Sequence, residues 1–511
     1  MGVGVTAVLR GDGIAANKTM TGTLNPDGSI GHVSGVAAKI RAAAEAGYTE
    51  ILIPSVTGDV PDSTTNTTVD PTVLGESVGV TVTKVATVAD AYKSLTGHQL
   101  LDSEAQAPPL DPTLVSAVDE RAHHLAVELR NALASEPTSA STSSATTATT
   151  TARACLNSGS QLLAESKAVP AYSTLWLCLR AYKSAVARNL VIAATAKSAS
   201  ESERSRIQNR LARHARSLEA QAKAAATQAP ANQNLSPAGV TGSTGSFSWP
   251  MWAQAELATY AATLEGKTIQ SASSLANYAG SISDAAYNLT TSFPDTQHIL
   301  QEWPATVFSP LASASSNPDV QFNDAEGVQK YFSGYSSFLK QAADANLAYY
   351  ETVVAGTTDE DAKRELRAVN DFYDTTANLK NQSADTSVPL LVQLASVSTY
   401  YLASSALVSA QSAFGAASTS AAGDVAVGTL DALQASLDTS VSIVNGLSAH
   451  SAGAGLDPSY ALWQKDWGFD VNKAKSHNQR ANEAMTGLIG IWQSTLQLRM
   501  LDSLISGQRA A

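Results

Sequence analysis

The segment Met20–Pro54, MTGTLNPDGSIGHVSGVAAKIRAAAEAGYTEILIP, decides the fold of the first part of the chain. Its central run, Gly35–Ala46, repeats apolar residues at the spacing of an amphipathic helix, at Val36, Ile40, Ala43 and Ala44. The apolar run Tyr48–Ile53, closed by Pro54, has the length and composition of a buried strand. The sequence therefore predicts a strand–helix–strand unit with Lys39 in the first turn of its helix.

Two short motifs in this segment resemble the proteolytic domain of Lon-type serine proteases. Met20-Thr21-Gly22 is similar to the strand of that family that ends in MTG, and Gly35–Lys39 is similar to its GG-(L/V)-x-x-K signature. The resemblance covers roughly the first hundred residues. It implies an α+β Lon-type proteolytic domain fragment, with Lys39 as the catalytic lysine and Thr21 as the residue that orients its amine.

A serine–lysine dyad needs a neutral amine, so the pKa of its lysine must lie below the usual value of about 10.4. The positive end of the helix dipole and desolvation by small apolar neighbours both act to lower the pKa of Lys39. The hydroxyl of Thr21 can hold the amine without adding charge. The plainer alternative for Lys39 is an exposed lysine at a helix start, which is the ordinary place of a lysine.

Ser34 stands directly before the helical run and is interpreted as an N-cap rather than a nucleophile, because its surroundings are not a G-x-S-x-G elbow. It departs from the family, which usually has glycine there. The resemblance places the nucleophilic serine roughly forty residues before the lysine, just ahead of Met1, and Gly2–Leu9 looks like the helix that follows it. We therefore expect a chain that begins inside the domain, because Met1 is an internal methionine mistaken for a start or because the gene is truncated.

The composition limits the classes of partner. The 511 residues include 15% charged residues and carry a formal net charge of -12, so no general attraction to nucleic acid is expected. Cys155 and Cys178 are too few for a zinc site, and they either form one disulfide or remain two buried thiols. The segment Asp12–Thr19 ends in Lys-Thr but lacks the glycines of a phosphate loop, so no ATP site is predicted.

No cofactor is expected. The partners that the resemblance implies are a protein or peptide substrate and other copies of the chain, since Lon-type domains commonly form hexameric rings. Acidic residues and histidines recur four positions apart at Asp119–His123 and at Glu120–His124–Glu128. Such spacing can place metal ligands on one helix face, but without a second cluster a solvated face is the preferred interpretation.

Beyond the first unit, apolar residues recur every three or four positions, which predicts a mainly α-helical multi-helix region. The predicted organisation is residues 1–105 as the C-terminal part of the Lon-like domain, 106–134 as a linker and a helix, 135–152 as a Ser/Thr-rich linker, and 153–511 as α-helical domains with a flexible segment near 228–248. Loops are predicted at Pro54–Asp70 and Ser292–Asn323. The uncharged run Thr386–Gly423 is interpreted as a buried helix rather than a membrane span.

These observations predict a Lon-like serine endopeptidase that is ATP-independent in this chain, and inactive as written because the serine is missing. The rival prediction, from a different class, is a non-catalytic interaction protein in which a degenerate Lon-like domain accompanies a helical scaffold. The Ser/Thr-rich tract, the few lysines and sequons such as the one at Asn17 favour an extracellular or cell-surface location over the cytoplasm.

Overall fold

The computed structural model describes residues 2–31, 33, 35–100, 106–135, 143–197, 200–227, 237–302, 325–354, 360, 363, 370–414, 427–454, 456–473 and 481–509. The protein is mostly helical and contains a small parallel sheet, which confirms the coarse prediction of an α+β unit followed by a helical region. Ser34, predicted as an N-cap, lies outside the described residues.

The first part of the chain is a compact α/β unit. Its elements in chain order are α1 (Gly2–Arg10), β1 (Lys18–Met20), β2 (Thr23–Leu24), β3 (Ile30–Gly31), α2 (Val36–Glu45), β4 (Glu50–Pro54), β5 (Val60–Asp62), β6 (Thr67–Val69), α3 (Pro71–Ser77), β7 (Thr81–Val85) and α4 (Val88–Thr96). The predicted strand–helix–strand unit is thus present as β1, α2 and β4.

A three-stranded parallel sheet in the order β1-β4-β7 forms the centre of this unit. Side chains alternate along β4, so that Ile51 and Ile53 face α2 and α3 while Leu52 faces α1 and α4. Both faces of the sheet are therefore covered by helices, as a parallel sheet requires. Two short antiparallel hairpins, β2–β3 and β5–β6, extend from it.

Local signals in the sequence explain where several of these helices begin and end. The side chain of Asp70 accepts hydrogen bonds from the first free amides of α3, and Thr87 and Asp90 form a capping box at the start of α4. Gly97 ends α4 in a left-handed conformation with φ of 79°.

The helical array contains the rest of the described elements: α5 (Pro112–Ala134), α6 (Ser143–Ala164), α7 (Ala168–Lys197), α8 (Glu201–Thr227), α9 (Pro237–Gly266), α10 (Ala272–Tyr287), a π-helical turn (Asn288–Ser292), α11 (Phe293–Glu302), α12 (Ala325–Tyr349), a second π-helical turn (Tyr350–Val354), α13 (Asp371–Ser383), α14 (Leu390–Phe414), α15 (Val427–Gly453), α16 (Ser459–Lys473) and α17 (Ala481–Arg509).

An aromatic cluster lies where α7, α9, α10 and α16 meet. The ring of Trp176 is centred 5.0 Å from that of Trp467 and 5.6 Å from that of Tyr287, in edge-to-face arrangements. The indole of Trp176 also donates a hydrogen bond of 2.9 Å to the hydroxyl of Ser292. This packing fixes the central helices of the array relative to one another.

Cys155 on α6 and Cys178 on α7 form a disulfide, with 6.2 Å between their Cα atoms. Of the two alternatives that the sequence left open, the disulfide is the one present. The bond joins two helices that already pack together, since the backbone of Gly159 lies directly against Leu175. The α6–α7 pair is therefore linked both covalently and by packing.

Two segments predicted as linkers are partly helical, so the prediction is wrong for residues 143–152 and 237–248. In the first, the Ala- and Thr-rich residues of α6 pack on α7, and Ala152 is buried. In the second, α9 already begins at Pro237, and the side chain of Phe247 is buried. Tertiary packing overrides the weak helical preference of Ser, Thr and Gly at both places.

Two predicted loops also contain regular structure. The stretch Pro54–Asp70 includes the β5–β6 hairpin. The buried carboxylate of Asp62 stabilises its turn by accepting hydrogen bonds from the amide of Thr64 and the hydroxyl of Thr65. The stretch Ser292–Asn323 begins with α11, which is held in the array through Asp295. Residues 303–324 lie outside the described part of the chain.

Within the described residues, one helix has the length and apolar composition of a membrane span, at Leu390–Ser409. Of the apolar stretch of this helix, 89% is buried inside the protein. It packs against α9, α12 and α13 through Leu394, Ala403 and Leu407 among others. The structure therefore places this run in the core of the helical array.

Candidate functional site

Thr21 lies at the carboxyl end of β1. Its backbone amide donates a hydrogen bond of 2.9 Å to the carbonyl oxygen of Leu52 in β4, which fixes the residue to the sheet. The next residue, Gly22, has φ of 157° and packs its α-carbon against Ile30 and Pro54. A side chain at residue 22 would overlap Ile30, so the glycine allows β1 to turn directly into the β2–β3 hairpin.

Lys39 lies in the first turn of α2, and its amide donates a hydrogen bond of 3.1 Å to the carbonyl oxygen of Gly35. Gly35, rather than Ser34, occupies the N-cap position, in a left-handed conformation with φ of 67° and without a side-chain cap. The interpretation of Ser34 as the N-cap is therefore wrong. A glycine satisfies the backbone requirement of this turn at no steric cost.

The helix buries the face that the sequence predicted, with Val36, Ala37 and Ile40 almost fully enclosed. Lys39 projects beside that face and its side chain is exposed, so the predicted enclosure of the amine is only partial. Desolvation by the surrounding residues nevertheless lowers the pKa of Lys39 below its usual value. The direction agrees with what a lysine base requires.

The topology brings Thr21 and the start of α2 to the same edge of the sheet. Strands β1 and β4 are parallel neighbours, and α2 belongs to the crossover that connects them. The carboxyl ends of both strands and the amino end of the crossover helix therefore lie together. Thr21 and Lys39 belong to this edge, which is the usual position of a site in an α/β fold.

Two ion pairs join charged groups elsewhere in the α/β unit. Lys18 of β1 bridges Glu50 of β4 at 2.9 Å, and Thr83 of β7 donates to the same carboxylate at 2.7 Å. Arg41 pairs with Asp62 at 2.5 Å, and hydrogen bonding from that guanidinium is the main reason the pKa of Asp62 falls to about 2. These pairs connect strands and helices across the unit.

The histidine and acid pattern of α5 forms ion pairs with neighbouring side chains. Asp119 lies 3.6 Å from His123 on the same helix, while Glu120 contacts His298 of α11 at 3.3 Å. Glu128 binds Lys183 of α7 at 2.6 Å. Within the described residues, no group of three His, Cys, Asp or Glu side chains is arranged to hold a metal ion. These contacts hold α5 against α7 and α11.

The buried β2–β3 turn near the candidate site was not predicted from the sequence. The β2–β3 turn, Asn25–Gly28, is buried against the helical array, and Asp27 has no exposed surface. The tetrapeptide Asn-Pro-Asp-Gly is a turn signature and could have located the turn. Its burial depends on helices more than 380 residues further along the chain, which no local pattern shows.

No family model matches this chain, and the comparisons with curated proteins and with solved structures likewise give no match.

Proposed function

We propose that the α/β unit carries the lysine-bearing part of a serine–lysine peptidase site, with Lys39 as general base and Thr21 as its positioning residue. The observation that carries the proposal is the place of Lys39. It lies in the first turn of α2, at the carboxyl edge of a parallel sheet, where desolvation lowers the pKa of its amine. The motifs that resemble Lon-type proteases lie at these same residues.

The chemistry needs the neutral amine within hydrogen-bond reach of a serine hydroxyl. The amine of Lys39 would take the hydroxyl proton while the serine oxygen attacks the carbonyl carbon of a peptide bond. The resulting ammonium would return that proton to the leaving amine, and water would then hydrolyse the acyl-enzyme. Amides at the start of α2 are suited to stabilise the oxyanion that forms on the carbonyl oxygen. The substrates would be unfolded or surface polypeptides.

The test is labelling of the native full-length protein with a fluorophosphonate probe, followed by identification of the labelled serine by mass spectrometry. We expect one labelled serine, and loss of labelling and of casein hydrolysis in Lys39→Ala. Lys93→Ala is the matched control, because Lys93 is an exposed lysine on α4. Wild-type protein that neither labels nor hydrolyses casein, or full labelling of Lys39→Ala, would refute the proposal.

A second candidate is a non-catalytic interaction protein. The observation that favours it is the docking of the α/β unit on the array through the buried β2–β3 turn, which makes the two parts one continuous scaffold. The two candidates differ in one measurable property. A native protein that binds other polypeptides in pull-down experiments, but shows no probe-reactive serine, would support the scaffold and not the peptidase.

A further inference from the structure

Three helices of the array hold the β2–β3 turn. The hydroxyl of Ser440 on α15 donates a hydrogen bond to the carboxylate of Asp27, and Nη2 of Arg499 on α17 donates one of 2.6 Å to its backbone carbonyl oxygen. Ser409 on α14 donates a bond of 3.1 Å to the side-chain oxygen of Asn25. We call these five residues the turn clamp.

The turn is also held by hydrogen bonds within itself. The carboxylate of Asp27 also accepts bonds from the amide of Ser29 at 2.8 Å and from its hydroxyl at 2.7 Å, so the loop closes on itself. Gly28 has φ of 89°, and a β-carbon there would lie 2.9 Å from Nη2 of Arg499. The guanidinium therefore lies directly on backbone that has no side chain to displace it.

The clamped turn lies in the sequence between Thr21 and Lys39. On one side, Ile30 of β3 packs over Gly22, next to Thr21, and its amide donates a bond of 2.8 Å to Ala86. On the other side, β3 leads to Val33, which packs against the buried face of α2. A displacement of the turn would therefore be passed to Gly22, the residue after Thr21, and to the buried face of the helix that carries Lys39.

We propose that Arg499 and Ser440 are positioning residues of the Lys39 site, so that the helical array holds the amine and Thr21 in their relative positions through the β2–β3 turn. The catalytic importance of this positioning rests on the proposed function. The coupling between the array and the elements that carry Thr21 and Lys39 does not depend on peptidase activity. It assigns to the array a task within the site itself, rather than substrate gathering or assembly.

The experiment compares the full-length wild-type protein with Arg499→Gln. Amide hydrogen exchange is followed by mass spectrometry in peptides that cover β1, α2 and, as an internal reference, α8. The pH dependence of the rate at which acetic anhydride acetylates Lys39 is also measured by mass spectrometry, on the peptide that contains Lys39. Arg130→Gln is the matched control, because Arg130 is an exposed arginine on α5, outside both the turn and the reference helix.

We expect Arg499→Gln to speed exchange in β1 and α2 by about tenfold or more, while α8 is unchanged. The acetylation profile of Lys39 should move towards that of an ordinary exposed lysine. Arg499→Lys should restore both properties in part, since it keeps a charged donor, and Arg130→Gln should resemble the wild type. If Arg499→Gln does not fold, Ser440→Ala removes a single bond of the clamp and takes its place.

The inference is overturned if exchange rises only within residues 25–29, or not at all, while the acetylation profile of Lys39 stays that of the wild type. A different result would refute the proposed function alone. If Lys39 of the wild type already titrates as an ordinary lysine, the proposed serine–lysine dyad is refuted. Faster exchange of β1 and α2 in Arg499→Gln would still show that the turn clamp holds these elements.

Discussion

The guanidinium of Arg121 on α5 and the carboxylate of Asp295 on α11 form a buried ion pair, with 2.8 Å between Nε and Oδ1. Tyr172 of α7 donates a further hydrogen bond of 3.2 Å to the same carboxylate, whose residue has no exposed surface. Burial raises the pKa of Asp295, and Arg121 opposes that rise. The pair therefore joins three helices around a carboxylate that water does not reach, while the Arg121 side chain is partly exposed.

Removing Arg121 from this pair should destabilise the protein, because the charge of Asp295 stays buried without its partner. We expect Arg121→Met to lower the free energy of unfolding by about 3–5 kcal/mol at pH 7. Urea denaturation measures the loss, and Arg130→Met, at an exposed position of the same helix, is the control. A loss below about 1 kcal/mol would show that the pair contributes no more than a surface ion pair does.

Glu256 on α9 should make the stability of the protein depend on pH. Burial raises its pKa to about 7, although Arg180 acts in the opposite direction. A carboxyl whose pKa is raised on folding stabilises the protein fully below the pKa of the unfolded chain, and this contribution is lost as pH rises towards the folded value. The loss therefore falls between about pH 4.5 and pH 7.

The change Glu256→Gln should remove that loss. We expect the variant to exceed the wild type in stability by on the order of 1–3 kcal/mol at pH 8 and to match it near pH 4. Urea denaturation at a series of pH values tests this, with Glu76→Gln at an exposed position as the control. Equal stability of variant and wild type at pH 8 would contradict the prediction.

The disulfide between Cys155 and Cys178 closes a loop with a sequence separation of 23 residues. A loop of that length predicts a stabilisation of about 3 kcal/mol, chiefly through the unfolded chain. Dithiothreitol should therefore lower the melting temperature of the wild type. The double variant Cys155→Ala/Cys178→Ala should melt at the reduced value with or without the reductant; a melting temperature that dithiothreitol leaves unchanged in the wild type would refute the prediction.

Two helical glycines should respond to alanine in opposite directions. At Gly468 on α16, a β-carbon would lie 2.6 Å from the backbone oxygen of Gly487 on α17, so the helices must separate. At Gly334 on α12 nothing lies within 4 Å. We expect Gly468→Ala to destabilise by about 1–3 kcal/mol and Gly334→Ala to stabilise by about 0.5–1 kcal/mol, both measured by urea denaturation. The same sign for both would contradict the close approach of α16 and α17.

The sequence predicted elements whose signals are local. The helix α2 and the strand β4 both lie where the apolar spacing and the apolar run placed them, within a few residues. The start of α2 was misplaced by one residue, because a serine and a glycine are both acceptable N-caps and only the backbone decides between them.

Features that depend on distant residues were not predicted. The Ser- and Thr-rich start of α6 and the Gly-rich start of α9 have weak helical preference, and buried side chains further along each helix, such as Ala152 and Phe247, pack them into the array. The same holds at the candidate site. The sequence placed Lys39 and Thr21 on their elements, but the burial of Asp27 depends on Ser440 and Arg499, which no pattern near the turn reveals.

The bond between Arg499 and Asp27 spans 472 residues, which has a consequence for the order of events during synthesis. A ribosome releases the α/β unit long before it makes α17, so the nascent unit must wait with its β2–β3 turn unclamped. Domains made first commonly fold first during translation. Docking of the turn can therefore be completed only after α17 has been made, and until then the turn is open to proteases and to chaperones.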